Sequence, residues 1–350
     1  QAIVWQDGRA AAVCAELEDH RDLIEARSGL ALEAYFSAPK LAWLRRNVTT
    51  DGVATTTDSW LLHQLTGEFV TDVTTASRSL VFDLDARRWD AELVDLFGLG
   101  RELLPRIVAC DEPLGTTTAF GAPMDVGGQV VDQQAALFAQ GCLDAGQAKC
   151  TFGTGAFLLV NTGPTAPRSG NGLTTSVAWT LREQSAYCLD GQVFTVASAV
   201  RWLTDIGLIS APTDLDPLAA DGAGDVLCVP ALAGLAAPWW RGDARAVFAG
   251  IGLASSRGNL VAAVLQGIAA QIAELVSVVE ADTGESLRLL RVDGGLTRSR
   301  ALMQAVADLC QVPIEVYASP HATALGAAAM GRLSHDPELG VRDSLGEGGI

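Results

Sequence analysis

The sequence predicts an α/β protein of two domains with a cleft between them, and three stretches carry that expectation. Residues 289–333 alternate strand (289–292), Asp293-Gly294-Gly295, helix (299–310), strand (314–317) and helix (323–333), the pattern of a sheet with helices on both faces. Residues 150–160, 174–181 and 186–190 alternate apolar and polar side chains between Gly-, Pro-, Asn- and Ser-rich turns, as a small antiparallel sheet does. Residues 129–157 hold a strand-like run ending in Asp132, an apolar helix that breaks at Gly141, and a second strand-like run turning at Gly153-Thr154-Gly155. An acid at a strand-to-helix junction and a glycine-flanked threonine at a turn are a base and a phosphate cradle, the two parts of a phosphoryl-transfer site.

The remaining elements follow in order. Residues 3–5 read as a short buried strand, followed by Asp7-Gly8 and a helical pattern with Ala12, Val13, Leu17 and Leu23-Ile24 apolar. Residues 41–47 form a short helix with Trp43 and Leu44 inward and Arg45-Arg46 outward. Thr57 or Asp58 caps a second helix with Trp60, Leu61, Leu62 and Leu65 apolar and Gly67 as its stop. Residues 70–79, rich in Thr and Ser, read as a loop or edge strand, and 89–97 as an amphipathic helix. Further on come a helix at 194–206, a polar Asp-Gly loop at 214–224 and a buried strand at 226–230. The longest helix is 256–281, with Leu260, Val264, Ile268, Ile272, Leu275 and Val279 in one stripe. The polar tail after His335 reads as frayed.

Composition excludes several classes. The 350 residues are 49% hydrophobic and 19% charged, which describes a folded globular chain. A formal net charge of -17 excludes nonspecific nucleic-acid or anionic-membrane binding, which needs a basic surface. No apolar run escapes interruption by glycine, proline or charge over a bilayer's width. Seven scattered cysteines without a C-x-x-C pair read as reduced thiols in a cytoplasmic protein, and four isolated histidines give no metal spacing. Neither a P-loop nor a G-x-G-x-x-G fingerprint is present.

Each motif has a plain structural reading beside the functional one. Asp132 serves as an ordinary helix N-cap or as a general base toward a substrate hydroxyl, and the two are compatible. Gly153-Thr154-Gly155 makes a tight hairpin or offers backbone N–H groups to phosphate. Asp293-Gly294-Gly295, after a strand and before a helix, is a plain connecting loop or lets a nucleotide approach the backbone.

Taken in order, Tyr35-Phe36-Ser37, Thr57-Asp58-Ser59-Trp60-Leu61, Thr75-Ala76-Ser77-Arg78, Asp132 to Phe138, Phe152-Gly153-Thr154-Gly155-Ala156-Phe157, Ala237-Pro238-Trp239-Trp240 and Val292-Asp293-Gly294-Gly295 resemble the FGGY family of carbohydrate kinases, most closely its glycerol-phosphorylating branch. The resemblance runs from Ala2 to about Gly331. It implies two ribonuclease-H-like (actin-like ATPase) domains around a central cleft that binds ATP, Mg²⁺ and a polyol. The expected domains are residues 1–142, carrying the substrate side and the catalytic Asp, and 143–335, carrying the nucleotide side, with 336–350 as tail.

By the same resemblance, Asp132 is the catalytic base and meets the metal indirectly through the ATP phosphates, and Gln133 helps orient the substrate hydroxyl. Trp5 and Phe157 wall the carbon side of the polyol and Tyr35 meets a hydroxyl. Gly153 and Thr154 bind phosphate, while Gly294, Gly295, Ala197, Arg201 and Ser299 fall at the nucleotide. A homo-oligomer, dimer or tetramer, is expected. The family's Asp-x-Gly-Thr phosphate hairpin and its Arg-Glu substrate pair are expected upstream of Gln1, leaving the N-terminal domain incomplete. Val131 replaces a glycine, Ser299 an asparagine and Arg201 a glutamine of the family pattern. A kinase of another polyol or a xylulose-like ketose, or a non-catalytic nucleotide-binding relative, are the alternative functions.

Overall fold

The computed structural model describes residues 2–346, and its centre is a six-stranded mixed sheet. Its strands are β1 (Ala148–Phe152), β2 (Ala156–Gly163), β3 (Thr174–Leu181), β4 (Gln184–Val193), β5 (Leu290–Asp293) and β6 (Ile314–Val316), in the spatial order β6-β5-β1-β2-β4-β3. β1 through β4 pair antiparallel, while β5 and β6 add in parallel on the other side of β1. The α/β class and the antiparallel segment are as the sequence predicts. The run 150–160 is divided between two strands, however, and the small antiparallel sheet is one part of a larger one, because β1 joins both halves: Thr151 pairs with Phe157 on one side and with Asp293 on the other.

The helices that matter for the site are α1 (Asp132–Ala139), α2 (Ala197–Asp205), α3 (Arg257–Thr283), α4 (Arg300–Cys310) and α5 (Ala322–His335). α3 starts at a capping box between Ser256 and Asn259 and stops at Gly284, which takes the left-handed conformation. Val264, Ile268, Ile272, Leu275 and Val279 are buried against the sheet and α4, as the stripe predicts. By length and composition α3 could cross a membrane; here its apolar surface is taken up by this core.

The N-terminal part places a two-stranded parallel pair, Val70–Asp72 with Arg106–Val108, beside helices Ser37–Asn47 and Thr57–Thr66. α5 returns from the C-terminal part to lie directly on α1. The backbones touch there: a Cβ on Gly326 would stand 2.0 Å from the Ala135 carbonyl oxygen. Leu137, Phe138, Ala329, Met330 and Leu333 fill the joint core.

Several expectations are corrected. Residues 3–5 form no strand; Val4 is exposed, and Trp5 turns onto other aromatic rings instead of a neighbouring strand. Residues 70–76 divide into strand and a helical turn that Asp72 caps. Thr56, not Thr57 or Asp58, precedes the second helix, whose Trp60 and Leu61 face solvent. The strand predicted at 226–230 is Leu227–Val229, paired with Val247–Ala249, and it is half outward: Cys228 and Phe248 face the core while Leu227, Val229 and Val247 are exposed. The loop at 214–224 contains a short helix, Leu215–Ala219. Residues 336–346 are held rather than frayed, since Arg342 pairs with Asp144 at 2.8 Å, Arg332 donates to the Ser344 carbonyl, and Leu339 and Leu345 pack on the core.

The α1–α5 contact gives a stability test. Gly326→Ala forces the helices apart and lowers the unfolding free energy by about 1–3 kcal/mol, read as a lower urea midpoint. Gly8→Ala, with nothing within 4 Å of the added carbon, stays within roughly 0.5 kcal/mol of the parent.

Candidate active site

α1 sets the position of Asp132. Val131 is the N-cap, with φ -69° and ψ 151°, and Asp132 is the first helical residue, so the expectation that Asp132 itself caps the helix is corrected. Those angles are ordinary extended backbone for any residue, and valine stands there without strain. The Val131 N–H donates to Thr74 Oγ1 at 2.9 Å. The Thr74 hydroxyl in turn donates to Asp72 Oδ2, and Asp72 also accepts from the Thr74 N–H at 2.8 Å and the Thr75 hydroxyl at 2.6 Å. Asp72 and Thr74 are fully buried, so the peptide ahead of Asp132 hangs from a buried, hydrogen-bonded turn.

Asp132 points into a cavity of about 230 Å³ lined also by Trp5, Tyr35, Arg78, Gln133 and Phe157. The Trp5 ring meets Tyr35 edge-on at 5.6 Å and Phe157 at 5.7 Å, making one apolar wall. The lining also carries polar groups. Buried Arg78 is ion-paired with Asp190, which is 1% exposed, and Arg78 Nη2 donates to the Tyr35 hydroxyl at 3.4 Å. Burial pushes the Tyr35 hydroxyl above its ordinary range against the pull of Arg78, so it stays protonated and can donate. Asp132 Oδ1 accepts from the Gln133 N–H at 2.8 Å and Oδ2 from Gln133 Nε2 at 3.3 Å. The carboxylate keeps further lone pairs for a ligand. A larger depression of about 690 Å³, between the start of β1 and the end of α3, contains none of these side chains.

The turn Gly153-Thr154-Gly155 joins β1 to β2 and is latched to the start of α2. The Ala197 N–H donates to Gly153 O at 3.1 Å, and the Val196 N–H to Thr154 O at 3.0 Å. Thr154 is exposed, and a Cβ at Gly155 would stand 2.4 Å from Val193 O, so that glycine is required by packing. Gly294, with φ +100°, lies against the other side of the same turn: a Cβ there would stand 2.3 Å from Phe152 O. Gly295 faces open space on its Cβ side, which leaves room for a ligand to approach the backbone, and a Cβ at Gly153 would meet only the Gly155 carbonyl oxygen, at 3.7 Å. Arg201 lies one helical turn beyond Ala197 and is exposed. Ser299 is set apart from these: it is buried, caps α4, and donates its hydroxyl to Asp216 Oδ1 at 2.6 Å. Asp216 also accepts the Arg300 and Ala301 N–H groups, so a carboxylate of the chain already occupies the start of α4.

The structure therefore gathers Trp5, Tyr35, Asp132, Gln133 and Phe157 at one cavity, and Gly153, Thr154, Ala197 and Gly294 around one turn. The N-terminal domain of the FGGY family of carbohydrate kinases matches residues 1–139, and the C-terminal domain of that family matches residues 148–334. The chain belongs to the FGGY family. A glycerol kinase of Alkalilimnicola ehrlichii is 42% identical over 347 residues, which cover 94% of this chain and 70% of the relative. A glycerol kinase of Gloeobacter violaceus is 44% identical over 339 residues, covering 93% and 68%. Among solved structures, Plasmodium falciparum glycerol kinase with ADP superposes with a TM-score of 0.89 at 34% identity, over 98% of this chain and 72% of that one. A xylulose kinase from Rhodospirillum rubrum superposes with a TM-score of 0.82 at 26% identity, over 97% and 72%.

In this FGGY kinase, sequence reasoning missed Thr74, Asp190 and Asp216. The signals were a Thr–Ser run following a lone Asp72, and an acid at an inward position of an apolar strand.

The Thr74 anchor makes a paired prediction. Thr74→Val leaves the Val131 N–H unpaired and destabilises by about 1–3 kcal/mol. Burial, helped by Asp58, pushes Asp72 up to about 6 despite its hydrogen bonds. An acid held above its unfolded value of roughly 3.9 contributes fully below that value, and the contribution is lost as pH rises through the folded one. The stability of the parent relative to Asp72→Asn therefore falls between pH ~4 and ~7, measured by urea unfolding across that range.

Proposed function

We propose that the protein transfers the γ-phosphoryl group of ATP to a terminal hydroxyl of glycerol, giving glycerol 3-phosphate. The observation that carries this reading is Asp132 at a cavity that also holds an aromatic wall of Trp5 and Phe157 and the polar Arg78–Tyr35 pair. A substrate with carbons on one side and hydroxyls on the other fits such a cavity. Its volume lies below the roughly 300–1,000 Å³ of drug-sized pockets, which favours a small polyol over a ketose. The relatives named as glycerol kinases, at 42% and 44% identity, favour the same choice.

Asp132 accepts the hydroxyl proton while the substrate oxygen bonds to the γ-phosphorus and the bond to the ADP oxygen breaks. Gln133 holds both carboxylate oxygens, so the base is oriented before substrate arrives. Trp5 and Phe157 exclude water from the carbon side, and Tyr35, beside Arg78, donates toward a substrate hydroxyl. Gly153 and Thr154 receive the phosphates, and Gly294-Gly295 with Ala197 and exposed Arg201 border the nucleotide. Ser299 is assigned to the α4 cap because its hydroxyl is committed to Asp216.

Among the described residues no group of three or more His, Cys, Asp or Glu side chains could hold a metal ion. The donor set fits Mg²⁺ arriving with ATP, where it would neutralise phosphate charge and face the chain through Asp132. We assign residues 1–142 to the substrate-side domain and 143–335 to the nucleotide-side domain. Free thiols at all seven cysteines support a cytoplasmic setting.

A coupled assay of ADP release with glycerol, xylitol and D-xylulose tests the proposal. Glycerol gives the highest kcat/KM; a tenfold preference for D-xylulose overturns the substrate assignment. Asp132→Asn lowers kcat by about 10²–10⁴-fold while ADP binding persists. Turnover close to the parent removes Asp132 from the role of base, and no turnover by the parent with any of the three substrates favours a non-catalytic nucleotide-binding protein.

A further inference from the structure

Lys149 is a lysine in the middle of a β-strand with no exposed surface, which is rare without a compensating role. Its ammonium donates to Gln133 Oε1 at 2.5 Å, Thr151 Oγ1 at 3.0 Å and the Phe157 carbonyl at 3.4 Å. Three N–H donors meet three acceptors, so the charged form is fully satisfied. None of those acceptors is a carboxylate. Instead each neutral side chain leads on to one: the Thr151 hydroxyl donates to Asp293 Oδ1 at 2.5 Å, and Gln133 Nε2 donates to Asp132 Oδ2 at 3.3 Å. A polar relay thus runs from Asp293, ahead of Gly294, through Thr151, Lys149 and Gln133 to Asp132.

Every donor in this chain has its sense fixed by the ammonium. Lys149 can only donate, so it requires the oxygen of the Gln133 amide, and the amide NH₂ must then face Asp132. Without the cation the amide could flip and set its oxygen against the carboxylate. We propose that Lys149 is a positioning residue for the phosphoryl-transfer reaction, fixing the Gln133 amide so that it holds Asp132 toward the substrate hydroxyl. The inference rests on the assignment of Asp132 as the base.

The charged and titratable groups facing Asp132 are Lys149, Arg78 and the Tyr35 hydroxyl; Asp293, Asp190 and the Cys150 thiol stand around Lys149. Burial pulls Lys149 below the ordinary lysine range, with Asp293 foremost among the groups that oppose this.

The test uses Lys149→Met, which keeps the shape of the stem, together with Lys149→Arg and Gln133→Ala. ADP binding within about threefold of the parent serves as the folding control. Lys149→Met is expected to lower kcat about 10–100-fold, the range for support residues behind a functional group, with KM for glycerol changed less than about threefold. Lys149→Arg, which keeps the cation and donates only, should return kcat to within about threefold of the parent. The double variant with Gln133→Ala should be no more than about threefold slower than the slower single variant, because both break one relay. A Lys149→Met enzyme with more than half the parent kcat, or with KM for glycerol raised as much as kcat falls, overturns the proposal, as do rate losses that multiply. If Lys149→Met fails to bind ADP, Gln133→Met breaks the same relay with Lys149 in place and must show the same kcat loss; parent-like kcat there overturns the proposal. Should Asp132→Asn retain activity, the assignment of the base fails instead, and the two failures are told apart.

Discussion

The hydrogen bond from the Val131 N–H to the Thr74 hydroxyl is the constraint on which the site depends. It joins two buried elements that the chain separates by 57 residues: the Asp72-capped turn and the start of α1. A helix N-terminus exposes unpaired N–H groups, and here the one just before the Asp132 carboxylate is tied down by a side chain that is itself saturated. Asp132 therefore inherits the rigidity of the N-terminal core. On its other side α1 is clamped by α5, where Gly326 lets the two backbones meet. The carboxylate is held from both ends of the chain.

The β1–β2 hairpin sets a second constraint, carrying a side chain of the cavity and the glycine turn on one paired ribbon. Along it, Lys149 reaches Gln133 beside the acid at α1, Thr151 reaches Asp293, the turn at Gly153 faces α2 and Gly294, and Phe157 closes the aromatic wall. A residue on a paired strand loses little freedom when a ligand binds, because the ladder has already ordered it. That arrangement explains why buried charges are tolerated here. Arg78 with Asp190, and Lys149 between Asp293 and Asp132, are costly to desolvate, but each sits where it orients a group of the cavity.

The legible parts of the sequence were those with strong local signals. The long apolar stripe of α3, the strand–Asp-Gly-Gly–helix run, the helix that begins at Asp132 and the turn at Gly153 are each set by a pattern within a few residues. What was not legible was decided by distant contacts. Residues 3–5 have strand composition, yet Trp5 finds Tyr35 and Phe157 instead of a strand partner. Leu227–Val229 looks buried, but its one partner is another short strand, so alternate side chains face water. Ser299 stood at a promising helix start that Asp216, 83 residues earlier, already caps. The tail after His335 looked frayed because Arg342–Asp144 and Arg332–Ser344 are long-range pairs that no local pattern announces.

The account centres on Asp132 as the base, oriented by Gln133 and walled by Trp5 and Phe157. The most direct measurement is a crystal structure of the protein with glycerol and a non-hydrolysable ATP analogue. It should place a terminal glycerol hydroxyl within about 2.6–3.2 Å of an Asp132 carboxylate oxygen, with the glycerol carbons against the Trp5 and Phe157 rings and the analogue's terminal phosphate at Gly153 and Thr154. Glycerol bound elsewhere, or bound in this cavity with its hydroxyls turned away from Asp132, would contradict the account.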